Sequence, residues 1–417
     1  MNAMENQSGK AIRMTDQVSR RREGRNLAHP ATGTDGASWS GVFAMTLCVF
    51  VLIASEFMPV SLLTPLAADL HVSEGMAGYG IAISGAFAVL TSLSISTIAG
   101  SMDRKTLLLL LTGLMGVSGL IVGLSANYAI FMVGRALIGV VIGGFWSMSA
   151  AVAMRLVPPD SVPKAMAIFN GGNAFATVVA APLGSYLGGV IGWRGAFLCL
   201  VPLTLVAIVW QWISLPSMRA APRAAANASA LGLLKRPLIA LGMSAVGIFF
   251  MGQFMLFTFV RPFLETVTGV DVRMLSIMLL VLGIAGFAGT LLIGGFVKAG
   301  LYRTLCVIPL IMAAIALALI VLGKSMPATF VLLGFWGLVA TAAPVGWWAW
   351  LARSLPEDAE AGGGLMVAAV QLSIALGSTI GGMLFDGIGY YATFMGSAAL
   401  LLIAAGLAYL TAHINKT

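Results

Sequence analysis

The stretch Gly41-Val-Phe-Ala-Met-Thr-Leu-Cys-Val-Phe-Val-Leu-Ile-Ala-Ser-Glu56-Phe-Met-Pro59-Val-Ser-Leu-Leu-Thr-Pro65-Leu66 carries a single charged side chain, Glu56. About 20 consecutive apolar residues suffice for a helix to cross the hydrocarbon of a bilayer. Barrel strands would alternate in hydrophobicity instead. The apolar core of a cleavable leader is only about 7 to 15 residues, so this run is expected to stay in the membrane.

Working outward, similar runs recur along the chain. The expected spans are 41–66, 76–99, 106–126, 128–153, 165–190 and 195–215, then 237–262, 274–297, 304–323, 328–351, 362–386 and 391–412. The fold class is therefore an all-α membrane protein with twelve transmembrane helices in two pseudo-symmetric six-helix bundles. Composition agrees: 59% of residues are hydrophobic and 9% charged, against about 25% charged in soluble domains. Cys48, Cys199 and Cys306 all lie within apolar runs and read as small hydrophobes, with neither disulfide nor metal spacing.

The net charge of +8 reads as topology, not as nucleic-acid binding. Were the amino end cytoplasmic, the inner loops would hold Arg104, Lys105, Arg155, Lys164, Arg219, Arg223, Lys235, Arg236, Lys298, Arg303, Arg353 and Lys416, and the outer ends only Arg194, Arg261, Arg273 and Lys324. An excess of bases on one side sets the cytoplasmic face, so both termini are expected inside. Residues 1–38 are polar and basic, too poor in apolar surface to fold alone, and are expected to form a disordered cytoplasmic tail. The expected domains are 39–215 and 237–417, separated by a cytoplasmic linker at 216–236 that holds Pro216, Pro222 and four bases.

An internal repeat supports the division. Arg155-Leu-Val-Pro158-Pro-Asp160 recurs as Arg353-Ser-Leu-Pro356-Glu-Asp358, and Gly184, Leu187, Ile191, Gly192 and Phe197 recur as Gly381, Leu384, Ile388, Gly389 and Phe394. Repeated bundles with a site between them at mid-membrane are a transporter architecture.

Two ionisable residues fall well inside the expected spans, Glu56 in the first and Arg135 in the fourth. A charge near mid-bilayer costs on the order of 3 kcal/mol, which makes such residues functional candidates. Desolvation favours the protonated acid and a nearby guanidinium the ionised one, so Glu56 is expected to load and release a proton; a permanent ion pair is the plainer alternative. Asp103 and Arg104, in the loop between the second and third spans, read equally as a gate or as a basic turn. Mid-depth amides Asn170, Asn173, Gln253 and Gln371 suit a neutral ligand, since an amide can pair with a purine edge through two hydrogen bonds. Asn173 and Gln371 correspond under the repeat and are expected to face one another. Trp146, Phe254, Phe257, Trp347 and Trp348 are candidates for stacking on a base, or for anchoring at the interface.

Several of these stretches resemble the drug:proton antiporter branch of the major facilitator superfamily, and more closely its purine ribonucleoside efflux members. They are Glu56-Phe-Met-Pro59-Val-Ser-Leu-Leu-Thr-Pro65, Gly134-Arg135-Ala-Leu-Ile-Gly139 with Gly143-Gly144-Phe145-Trp146, and Ala181-Pro182-Leu-Gly184-Ser185. Arg155-Leu-Val-Pro158-Pro159, Gly252-Gln253-Phe254, Arg261-Pro262 and Pro344-Val-Gly346-Trp347 add to the likeness. The resemblance implies proton coupling at Glu56 and Arg135, gating around Pro182 and Gly184, and export of purine ribonucleosides and analogues from the inner membrane of a bacterium. Asp103-Arg104-Lys105 lacks the Gly-Arg pair that usually follows, and Ala181 stands where many antiporters have glycine.

The expected partners are thus a small molecule, protons and lipid, without nucleic acid, for a monomer that needs no cofactor or metal beyond the coupling proton. Sugar or multidrug export is the alternative on the same scaffold; a membrane receptor or enzyme is more distant. His29, His71 and His413 lie outside the expected spans and no HExxH motif occurs, so no metalloenzyme or triad chemistry is visible.

Overall fold

The computed structural model describes residues 38–100, 102–218, 230–356 and 358–414; the expected tail at 1–38 and the centre of the 216–236 linker fall almost entirely outside them. The chain runs through α1 (Trp39–Ser61), α2 (Leu63–Asp69), α3 (Glu74–Ile98), α4 (Arg104–Gly123), α5 (Tyr128–Trp146), α6 (Ser149–Arg155), α7 (Val162–Leu198) and α8 (Leu200–Ser214). It continues through α9 (Pro237–Phe257), α10 (Val260–Phe263), α11 (Val272–Leu322), α12 (Met326–Ala340), α13 (Ala343–Ser354), α14 (Ala359–Gly387) and α15 (Tyr390–Ile414). Side-chain oxygens of Ser73, Asp103, Asn127 and Asp271 cap α3, α4, α5 and α11, each satisfying amide groups that a helix start leaves unpaired.

Among the described residues, ten helical segments are long and apolar enough to span a bilayer, and two of them, Lys164–Ser214 and Val272–Leu322, have 51 residues each. A straight helix of that length would reach about 75 Å, more than twice the roughly 30 Å hydrocarbon thickness. Both segments fold back. Gly172, Phe175, Gly184 and Gly188 approach Thr46, Phe50, Met58 and Leu62 in turn, so the first part of α7 runs parallel to α1. Past Gly192 the direction reverses, because Leu198, Val201 and Thr204 lie against Gly123, Gly119 and Gly116 of α4. Likewise Leu282 and Val297 lie at Gly337 and Gly346, whereas after Gly300 the order inverts, with Leu305 at Gly346 and Gly323 at Thr329. Twelve crossings result.

The repeat glycines explain one reversal. Gly192 (φ 76°) and its counterpart Gly389 (φ 105°), between α14 and α15, are both left-handed, a conformation that glycine adopts without a Cβ clash.

Four spans expected to be continuous are broken: α1/α2 at Leu62, α5/α6 at Ser147–Met148, α9/α10 at Thr258–Phe259 and α12/α13 at Thr341–Ala342. These are the first, fourth, seventh and tenth, each of which opens a group of three helices. Proline accounts for three of the breaks, since Pro65, Pro262 and Pro344 stand in the first turn of α2, α10 and α13 and cannot donate to Ser61, Thr258 and Ala340.

The end of the molecule that holds Ser38, Leu156, Ser214 and Met218 is here called the linker face, and the opposite end the far face. At the linker face the Asp103 carboxylate accepts hydrogen bonds from the amides of Lys105 and Thr106 and from Ser217 Oγ (2.6 Å), while the Arg104 amide donates to Met218. Burial pushes the Asp103 pKa up, but the bonds from Ser217 and from the Thr106, Lys105 and Met218 amides outweigh it and hold the carboxyl below its usual range. Asp103 thus caps its own helix and ties down the start of the linker.

The bundles meet along two seams, α3 against α14 and α7 against α11. Gly75 lies beside Gly382 and Asp386, Gly85 beside Gln371 and Ala375, Gly189 beside Val272, and Gly283 beside Val178. Within the first bundle, a Cβ on Gly139 or Gly143 of α5 would come within 2.3 or 2.2 Å of the Ser84 or Ala88 carbonyl oxygen of α3. Small residues spaced by four let membrane helices approach this closely. Gly139→Ala should therefore cost about 1–3 kcal/mol, read as a lower melting temperature in detergent. Gly171→Ala, where nothing lies within 4 Å, should leave that temperature unchanged.

Candidate functional site

The stripe Arg135, Gly139, Gly143 lies on one face of α5 by its four-residue spacing, so the glycine seam that draws α5 onto α3 also delivers the guanidinium to the bundle interior. Arg135 is 1% exposed. It donates from Nε to the Gly80 carbonyl (3.0 Å), from one terminal nitrogen to the Ser55 carbonyl (2.8 Å), and from the other to the Glu56 carbonyl (3.2 Å) and Ser84 Oγ (3.1 Å). Ser55 is the residue whose carbonyl Pro59 leaves without its helical donor. Arg135 fills that vacancy and pins the bent α1 to α3 and α5. No ion pair joins Arg135 to the Glu56 carboxylate, although both residues are buried.

Glu56 is 6% exposed and sits roughly 20 to 25 Å from either end of the α1–α2 rod. Its carboxylate accepts instead from Gln371 Nε2 of α14, at 3.2 Å. The bond crosses between the bundles. Beside it, Phe57 stacks on Phe254 of α9 with centroids 5.8 Å apart, and Phe254 meets Phe257 edge-on. Next along α9, Gln253 Oε1 is buried without a hydrogen-bond partner, so an acceptor adjacent to this aromatic group is left for a ligand or water.

Glu56, Gln371, Phe254 and Phe257 thus form one group, with Gln253 adjoining, and Phe57 joins it although the sequence reading passed over it. Other candidates lie elsewhere. Asn170 is exposed and its amide bonds the Met166 carbonyl of its own helix. Asn173 is half-buried on α7, while Gln371 turns to Glu56, so the expected facing pair of amides is replaced by an amide–carboxylate contact. Trp347 is 2% exposed, packed edge-on to Trp350 in the second bundle's core, where it cannot stack on a ligand without repacking; Trp348 is 46% exposed. Trp146 is half-buried between Phe145 and Phe169. Pro182 and Gly184 are buried on α7, with Gly184 pressed against Met58 and Ser61 of α1.

Arg261, counted in the sequence only as a base at an outer span end, is 4% exposed. It pairs with Glu265 (2.8 Å) and donates to the Ser61 carbonyl at the end of α1, across the bundles. Asp386 makes a second crossing at the far face, accepting from Ser73 Oγ and from the Gly75 amide (2.9 Å). A carboxylate there also faces the positive end of the α3 dipole.

Residues 45–366 match the family model described as Major Facilitator Superfamily. The chain is 67% identical over 379 residues to a Pseudomonas aeruginosa protein named Transcription regulatory protein OpdE, covering 90% of this chain and 94% of that one. It is 40% identical over 375 residues to a Salmonella typhimurium protein named Purine ribonucleoside efflux pump NepI, again covering 90% and 94%. Among solved structures, a D-xylose-proton symporter superposes with a TM-score of 0.72 at 17% identity, covering 90% of this chain and 98% of that one. A bacterial homologue of the lysosomal transporter Spinster, in an inward-facing and unoccupied conformation, gives 0.70 at 17% identity, with 91% and 98% covered.

Proposed function

Because the chain belongs to the Major Facilitator Superfamily, we propose that it is a proton-coupled antiporter that exports purine ribonucleosides and their analogues across the bacterial inner membrane, with its linker face and both termini in the cytoplasm. The observation that carries the cycle is Glu56, a buried carboxyl of one bundle bonded to an amide of the other. A group that titrates at the boundary between two moving bodies links its proton to their motion. The substrate class is supported by the 40% identity to the purine ribonucleoside efflux pump and by the neutral, aromatic-and-amide character of the group around Phe57, Phe254 and Gln253.

In this cycle the far-face-closed form takes substrate from the cytoplasm with Glu56 ionised. Rocking the bundles opens the far face, the nucleoside leaves, and Glu56 takes a proton. Return of the protonated form releases that proton inward. With a neutral nucleoside, one exchange moves one positive charge into the cell, so the membrane potential drives export. The breaks at α1/α2 and α9/α10 lie toward the far face and those at α5/α6 and α12/α13 toward the linker face, where bends at helix tips would open one end at a time.

Overexpression in a sensitive host tests the substrate class. Resistance to a toxic purine ribonucleoside analogue, without resistance to toxic sugars or lipophilic cations, is the expected result; the converse pattern would establish the sugar or multidrug alternative.

The 67% identity to a protein named as a transcription regulator supports one further reading. Export of a metabolite that a separate regulator senses would change transcription without DNA contact by this chain. In that case Glu56→Gln alters the same transcripts as deletion; a Glu56→Gln protein that keeps the regulatory effect would separate regulation from transport.

A further inference from the structure

Gln371 is an uncharged polar side chain only 6% exposed, and its Nε2 donates to the Glu56 carboxylate across the bundle seam. Its own backbone is held against α3, where a Cβ on Gly85 would come within 2.8 Å of the Gln371 carbonyl oxygen. That contact lies on the seam itself: Gln371 belongs to α14 of one bundle and Glu56 to α1 of the other, so relative motion of the bundles changes the distance between amide and carboxylate. We propose that Gln371 is the positioning residue that makes proton affinity at Glu56 depend on conformation, a role that rests on the proton-exchange reading above and replaces substrate binding for this amide.

The argument is one of linkage. While the far face is closed, Nε2 donates to the carboxylate and favours its ionised form. Opening the far face must part α3 from α14, which breaks the Asp386 bonds to Ser73 and Gly75 and withdraws Gln371 from Glu56. The carboxylate then loses a donor and takes a proton more readily. By reciprocity, protonation favours the open form.

The other elements packed around Glu56 hold the rest of the field fixed. Arg135 of α5 bonds backbone carbonyls of α1 and α3 within the same bundle, so it travels with Glu56. α3 contributes Gly80 and Ser84, α7 contributes Gly184 beside Met58, and α9 contributes Phe254 beside Phe57, none of which titrates. Arg261 of α10 is engaged by Glu265 and reaches α1 at Ser61, toward the far face.

The test needs no substrate. Spin labels at Leu124→Cys and Lys324→Cys, both exposed at the far face, are placed in full-length protein in nanodiscs with Cys199→Ser and Cys306→Ser, and their distance distribution is followed with pH. A hydrogen bond to a charged group is worth enough for the open-to-closed ratio to rise roughly tenfold or more between about pH 8 and pH 5.5. Glu56→Gln should abolish that dependence. Gln371→Met, similar in volume but without the donor, should flatten it to less than about threefold, with both states still populated, and Gln371→Asn should fall between. A purely packing role would move the ratio equally at every pH and leave its pH dependence intact; that outcome, or a wild type indifferent to pH, overturns the proposal. Since no nucleoside is present, a wrong substrate assignment leaves this result unaffected.

Discussion

Glu56→Gln protein is expected to fold normally, exchange substrate across the membrane, and accumulate none of it against a gradient. The replacement amide keeps the size of the side chain and still offers an oxygen to Gln371 Nε2, so the contact between the bundles at 3.2 Å survives. What disappears is the only acidic side chain among the described residues that is both buried at mid-depth and shared between the bundles. One charge moving through 100 mV is worth about 2.3 kcal/mol, which corresponds to roughly fiftyfold accumulation for the wild type. In the variant that ratio should fall to one, with label exchange retained. Loss of exchange as well would move Glu56 from energy coupling to substrate binding.

The second large effect belongs to Arg135. Arg135→Ala removes four hydrogen bonds and strands the Ser55 carbonyl, which Pro59 has already deprived of its helical donor. A buried polar group left unpaired costs about 1–3 kcal/mol, so the melting temperature and folded yield should drop sharply. Arg135→Lys should recover little, because one ammonium cannot serve acceptors arranged around a planar fork. Restoring an amide at position 59 gives the discriminating experiment. In a Pro59→Ala background the backbone itself can satisfy Ser55, so Arg135→Ala should cost about 1 kcal/mol less than in the wild type, a coupling that a double-mutant cycle reads directly. Strict additivity would mean that the arginine acts through its charge alone.

Much of the architecture was legible because membrane spans depend on length and apolarity, both local properties. The run around Glu56, the duplication linking Gly192 to Gly389, and the polar linker sufficed for twelve crossings. The helix breaks were less accessible. Pro65, Pro262 and Pro344 withhold a donor from Ser61, Thr258 and Ala340, but a proline in an apolar run fits a kinked continuous helix as well as a broken one, and the α5/α6 break has no proline at all. Arg261 was counted only as an outer-end base, since position along a span says nothing about which way a bent tip turns; α10 turns its guanidinium back onto Ser61.

At the site, buried polar residues were recognisable singly, whereas their partners were not. Pseudo-symmetry paired Gln371 with Asn173, but symmetry relates positions, and the packing of one bundle against the other sets contacts such as Gln371–Glu56 that no repeat encodes. The stack of Phe57 on Phe254 was hidden for a different reason: an aromatic ring in an apolar run carries no signal until its neighbour across the seam is known.

Everything proposed for function requires that a proton gradient be exchanged for substrate through Glu56. Inverted membrane vesicles containing the protein, supplied with labelled inosine and an inwardly directed substrate path equivalent to export, test this most directly. Imposing a proton gradient, acidic inside the vesicle, should drive inosine above its external concentration, and an uncoupler should release it. Uptake that is unchanged when the gradient is collapsed, or that persists at full strength in Glu56→Gln vesicles, would contradict the account.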